Sequence, residues 1–411
     1  MANPYDVDLH KHISHIVDGE IDSNIFESLD GLIEHMLPTG TIGFDPSEVM
    51  KRLYTEGENG MYDADTKSWI NWPEGRQRAG CQEKELADFM NKLGEAAAPL
   101  VNDTEKKKVK TPRTWSSKFC NSAVPHGSCQ RKPDIVLMNK PEANSTSIER
   151  WDDIFAAVEV KSSSESAKTL AQQLGQSARL MFGCQPDRRF VLAVAISGKS
   201  MNLTVFNRAG MFMSTFFDVH KKPELLVRIA VGLLFADRAT LGFDPSLIWT
   251  RLDGDEKRTV KVNKNTYKIL KVIHVECVIR GRATVVLKVQ NEEGKILVVK
   301  NGWVDNTRVQ KETEVLEDLN KRKVKNVPKM EEYEDKAVKN VKDRTDSILT
   351  ELHEAGKISD ALYQEYLKRV EVRDQVRIVL SPYGVPLTKF RSLRELISAV
   401  IDVVDGKDIW L

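Results

Sequence analysis

The chain has 411 residues, 41% of them hydrophobic, enough to build two or more cored domains. Basic and acidic residues nearly cancel, 61 against 60 for a formal charge of +1, so bulk charge selects no partner and only local patches can. Five scattered cysteines argue for reduced thiols inside a cell, in cytoplasm or nucleus, while the absence of a signal-peptide run and the shortness of IAVGLLFA exclude a membrane reading.

Residues 8 to 37 carry apolar positions at helical spacing, as in IFESLDGLIEHML, and Pro38 with Gly40 closes that segment. TIGFDPSEVMKRL, from Thr41, recurs as TLGFDPSLIWTRL, from Thr240, and in both the Asp-Pro pair predicts a capped helix with proline in its first turn. The aromatic loop WINWPEG leads to a helix, EKELADFMNKLGEAAAPLV, and then to a basic surface loop, TEKKKVKTPRTW. From Asp134 the stretches DIVLM, FAAVEV, LAQQLGQSARLMF, RRFVLAVAIS and MNLTVFNRAG read as strand, strand, helix, strand, strand, an α/β core closed by the helix PELLVRIAVGLLFAD. GFDPSLIW and RLDGDEKRT mark a boundary. YKILKVIHVECVIRGRATVVLKVQ, the turn NEEGK and ILVVK then read as an antiparallel meander. The long charged stretch KRKVKN to EYLKR reads as solvated helix or partly flexible linker, after which RIVLSP, YGVPLTKF and the amphipathic helix SLRELISAVIDVV complete the chain. Three regions are expected: a helical extension over 1–80, an α/β domain over 81–250 and an α+β domain over 251–411.

Two stretches carry charge on strands that read as buried. RKPDIVL sets Asp134 at the head of a β-branched run, and AAVEVK puts Glu159 and Lys161 on one face because strand side chains alternate. Unpaired, such ions would each cost several kcal/mol, roughly, to bury. A divalent cation removes that cost, since carboxylate oxygens with waters form a normal ligand set for Mg²⁺ or Mn²⁺, and Lys161 would then assist a water or stabilise charge on a phosphate. A salt bridge at the strand end is the structural alternative.

Pro133, Asp134, Glu159 and Lys161 resemble, in order and on the expected strands, the pattern of the PD-(D/E)XK phosphodiesterase superfamily. That resemblance implies a nuclease-like sheet flanked by helices, metal at Asp134 and Glu159, and nucleic acid as substrate. It adds a helical glutamate, for which Glu85 is the candidate and Glu83 the runner-up, and a glutamine on the following helix, which Gln173 fits. Ser177 stands where that helix would carry tyrosine. The broader series RKPDIVL, WDDIFAAVEVK, QPDRRFVLAVAI, FNRAGMF, LGFDPSLIW, IRGRATVV, ILVVKNGW, YGVPLTKF and SLRELISAV looks like the fungal-type protein kinase family. By that resemblance Lys300 contacts ATP phosphates, Glu312 is its helix partner, and the loop IRGRATVV, with Gly281, covers the nucleotide. Neither a His-Arg-Asp nor an Asp-Phe-Gly motif occurs, so the second unit is expected to be an incomplete kinase amino-terminal lobe that binds ATP weakly or not at all. The function expected is a metal-dependent phosphodiesterase fused to that lobe; the alternatives are a non-catalytic protein-docking module and the leading part of a fungal-type kinase.

Weaker signals read as structural. His10, His12 and His15 lack a clean metal-pair spacing, Cys120, His126 and Cys129 lack a fourth zinc ligand nearby, and the basic run Lys106 to Arg113 reads as a solvated loop.

Overall fold

The computed structural model describes residues 14–54, 60–74, 81–101, 113–140, 148–161, 167–252, 255–338 and 341–407. His10, His12 and most of the basic run lie outside these residues. The chain forms two compact units. The first comprises Met1–Asp244, Cys277–Gly281 and Thr345–Glu371, and the second Pro245–Glu276, Arg282–Arg344 and Val372–Leu411.

The first unit is built on an eight-stranded mixed sheet. Its strands are β1 (Ile25–Phe26), β2 (Arg113–Ser116), β3 (Ile135–Asn139), β4 (Ile154–Lys161), β5 (Val191–Ser197), β6 (Ser200–Asn207) and β7 (Gly210–Met213), in the order β1-β7-β6-β5-β4-β3-β2, with Phe217–Asp218 added beside β6. β3 and β4 are antiparallel, whereas β4 and β5 are parallel. A parallel pair needs a crossover, and the helix that makes it repeats apolar residues every four positions, Leu170, Leu174, Ala178 and Phe182, all buried in one core with Ala193, Ala195 and Phe206 of the sheet. Flanking the sheet are α1 (Cys81–Ala97), this crossover helix α2 (Ala167–Cys184), and α3 (Pro223–Phe235), which starts on a first-turn proline.

The expected helical extension is only partly helical. Residues 14–21 are helical, but Ile25–Phe26 pair in parallel with Met211–Phe212 and so belong to the sheet. Gly210 makes that pairing sterically feasible. Its φ is 146°, and a Cβ there would lie 2.2 Å from the Asn24 carbonyl oxygen, which accepts from Met211 N–H at 2.9 Å.

The second unit is an all-antiparallel seven-stranded sheet. β8 (Leu247–Leu252), β9 (Asp255–Val262), β10 (Asn265–Val275), β11 (Val285–Gln290), β12 (Ile296–Asp305), β13 (Lys329–Asp335) and β14 (Arg373–Ser381) lie in the order β8-β9-β10-β11-β12-β14-β13. One face buries Leu287, Val289, Leu297, Val299 and Val379 in a core. The other carries Val376 and Ile378 under Leu316 of α4 (Glu312–Lys321). Alternation with period two along β12 separates the two faces.

One sequence expectation fails here and another holds only in part. The first Asp-Pro segment is a helix, Pro46–Leu53, capped by Asp45 Oδ1 accepting from Ser47 N–H at 2.9 Å, but its recurrence is strand β8. Helix-forming Glu-Val-Met-Lys follows the first Asp-Pro-Ser, whereas Leu-Ile-Trp-Thr follows the second and pairs along β9. The charged stretch is helical in part, as expected, but its helices are not simply solvated. It supplies β13 and then two helices, α5 (Ser347–Glu354) and α6 (Asp360–Leu367), whose Ile348, Leu349, Leu352 and Tyr366 are buried in the first unit.

Candidate functional site

In the first unit the register sets Asp134 at the head of β3 beside Glu159 of β4, since Ile135 pairs with Val158. Glu159 is 1% exposed. Arg131, three residues before Asp134, supplies the missing charge: its guanidinium donates to Glu159 Oε1, to Ser177 Oγ at 3.4 Å and to the Gln173 carbonyl at 3.4 Å. Asp134 Oδ2 accepts from Val160 N–H at 2.7 Å. Burial pushes the Glu159 carboxyl up to about 7; Arg131 opposes that rise, Asp134 adds to it, and Lys161 opposes it. Burial likewise raises Asp134, against the Val160 hydrogen bond and the charges of Lys161 and Arg131.

The two candidate glutamates on α1 are placed differently. Glu85 is exposed, while Glu83 sits in line with the buried Leu86, Ala87 and Met90 and its charge raises Asp134. The helical spacing i, i+3, i+4, i+7 was the signal that separates the two. Glu83 Oε2 and Gln173 Oε1 are buried with no hydrogen-bond partner among the described residues. Arg131 stands in the stretch RKPDIVL, but strand alternation says nothing of a residue before the strand begins.

A divalent cation at this site is tested by the donor set. At Glu159 the Arg131 guanidinium holds Oε1. Asp134 and Glu83 are two hard carboxylates, one with a buried oxygen that has no hydrogen-bond partner among the described residues, and Mg²⁺ is commonly held by one or two carboxylates with waters. No group of three or more His, Cys, Asp or Glu among the described residues is gathered to hold a metal ion.

In the second unit Lys300 lies on β12 between Val286 of β11 and Ile378 of β14, on the face that α4 covers. Its Nζ donates to both oxygens of Glu312, the first residue of α4, at 2.5 and 2.7 Å. Arg282 donates to Glu312 Oε2 at 3.2 Å. The α4 amino terminus is fixed by Glu314, whose carboxylate accepts from Lys311 N–H at 3.1 Å. Val298 and Leu380, paired across β12 and β14, extend this face, and beside it Lys288 Nζ stands 4.3 Å from the ring centre of Tyr383. A half-buried ammonium held by a helix carboxylate, next to an apolar sheet face, is suited to an anionic ligand with an apolar end.

Gly281 does not join this arrangement. It belongs to the first unit, where its N–H donates to the Arg208 carbonyl at 3.2 Å. Beside it, Ile279 is fully buried in that unit's core.

Among the described residues no helix is long and apolar enough to cross a membrane. No curated protein matches the chain. The family described as fungal protein kinase matches over residues 132–409, from just before Asp134 through β14 and beyond.

Proposed function

Since the chain belongs to the fungal protein kinase family, we propose that its second unit is a nucleotide-holding lobe in which Lys300 contacts phosphates and Glu312 keeps it in place. The observation that carries this reading is the ion pair at 2.5 Å between a central-strand lysine and the first residue of a helix packed on the same sheet face. In protein kinases that pairing positions nucleotide phosphates. The proposal stops at binding, because transfer needs a catalytic aspartate and a metal-binding aspartate from motifs that this sequence does not contain. Thermal denaturation with ADP or Mg·ATP tests it. At about ten times the dissociation constant the ligand adds about 1.4 kcal/mol to wild-type stability, and Lys300→Ala loses that gain. No saturable gain in wild type, or the same gain in Lys300→Ala, contradicts the proposal.

A second reading, a metal-dependent phosphodiesterase acting on nucleic acid at the first unit, is favoured by the orphaned Glu83 oxygen beside Asp134. Asp134 and Glu83 would hold Mg²⁺ or Mn²⁺, which when bound supplies charge neutralisation for a phosphate. Lys161, close enough to influence both Asp134 and Glu159, would stabilise the same charge. Cleavage that needs Mg²⁺ and is lost in Asp134→Ala supports this reading; no cleavage, or equal cleavage by Asp134→Ala, removes it.

A further inference from the structure

The first unit's sheet ends at β1, and an edge strand turns alternate backbone groups outward, where they can template another strand. Asn24 turns its carbonyl toward β7, accepting from Met211 N–H at 2.9 Å, so Ser23, Ile25 and Glu27 face outward. Two side chains of the Thr345–Glu371 segment, itself part of the first unit, meet those outward groups. The Tyr366 hydroxyl accepts from Glu27 N–H at 3.0 Å and donates to the Glu27 carbonyl at 2.9 Å. Arg369 Nη2 donates to the Ser23 carbonyl at 3.1 Å and to the Ile25 carbonyl at 2.9 Å, and its Nε donates to Ser23 as well, at 3.2 Å. The fully buried Phe26 ring stacks on Phe212 at 4.7 Å and meets the Tyr366 ring edge-on at 5.2 Å. The Arg369 guanidinium lies 5.4 Å from the Phe26 ring centre.

These contacts are side-chain substitutes for a neighbouring strand. All of them come from α6 or the residues just beyond it, and the Arg369 side chain is 36% exposed, so water competes for its donors. We propose that the Thr345–Glu371 segment is a releasable cap on a strand-pairing edge, and that the partner this edge fits once Tyr366 and Arg369 let go is Ser23–Glu27 of a second copy, paired antiparallel about Ile25. The occupant follows from the register. Antiparallel pairing centred on Ile25 sets Ser23 opposite Glu27 and Ile25 opposite its own copy, so backbone groups take over the bonds that two side chains now make. Glu27 then faces a neutral Ser23, whereas parallel in-register pairing would set Glu27 against Glu27. Ser28, with φ at 55°, ends the extended run and limits the pairing to these residues. A two-fold axis at Ile25 closes the assembly as a dimer.

Sedimentation velocity and hydrogen exchange compare wild type, the double variant Tyr366→Phe with Arg369→Ala, and that variant with Ile25→Pro added. Proline at position 25 removes only an outward N–H, so β1 keeps its pairing with β7. Wild type is expected to keep one mass across a wide concentration range. The double variant rises with concentration toward twice the chain mass, and Ile25→Pro returns it to the wild-type value. Its Glu27 amide exchanges at least about tenfold faster than in wild type when dilute and regains protection when concentrated. Unchanged mass in the double variant overturns the proposal, whether or not the Glu27 amide is freed. So does association that survives Ile25→Pro, and so does equal association by wild type. Should circular dichroism show that the double substitution unfolds the chain, Arg369→Gln alone takes its place, with the same two measurements and the same outcomes deciding.

Discussion

Glu159 is a carboxylate with 1% of its surface exposed, and burial pushes it up to about 7 despite the Arg131 guanidinium on its oxygen. Desolvation therefore outweighs the attraction of a single buried cation, as it commonly does for buried pairs. The consequence for stability follows from which state holds the proton. Unfolded, the group titrates near 4.5; folded, near 7. Between these values the folded chain binds a proton that the unfolded chain has released, so this group's contribution is complete at low pH and is lost as pH rises through 7. Wild type is expected to lose melting temperature relative to Glu159→Gln between about pH 5 and about pH 8. Parallel curves for the two proteins, or a slope of the opposite sign, would show that Arg131 fully offsets burial.

The strands and helices that frame the sites were set by patterns of different reach. The β12 alternation, the four-residue repeat of α2 and the Asp45 cap are local, and each appears where its pattern predicts. Strand β8 is the counterexample, because the same Thr-x-Gly-Phe-Asp-Pro-Ser opening leads to a helix in one place and a strand in the other. A pairing partner decided it, and a partner is not a local property. β1 makes the same point, since two residues enter a sheet only because Gly210 lets Asn24 approach. Gly210→Ala is accordingly expected to destabilise the first unit by about 2 kcal/mol or more, through backbone overlap and a strained φ. Denaturant unfolding measures this; a loss within about 0.5 kcal/mol would mean that β1 contributes nothing to the sheet.

At the scale of the whole chain, the two units are interleaved in sequence: Cys277–Gly281 and Thr345–Glu371 interrupt the second unit and fold with the first. No boundary drawn at one position could express that. Composition marked both excursions poorly, because one is five residues long and the other is hidden in a charged stretch whose buried positions, Ile348, Leu349, Leu352 and Tyr366, are sparse. The candidate sites divide the same way. Lys300 meets Glu312, and Asp134 stands beside Glu159, through strand register and local chain order, whereas the surroundings of Glu83, Arg131 and Gly281 depend on helix phase, on a residue outside the strand and on a core elsewhere in the chain.

On the proposed reading, Lys300 and Glu312 act as one unit on a nucleotide. A double-mutant cycle on ADP affinity, by calorimetric titration of wild type, Lys300→Ala, Glu312→Ala and the double variant, tests it most directly. Groups that work as a unit are non-additive, so the double variant is expected to bind no more weakly than Lys300→Ala alone, with a coupling of about 1 kcal/mol or more. Losses that simply add, or affinity unchanged in either single variant, would contradict it.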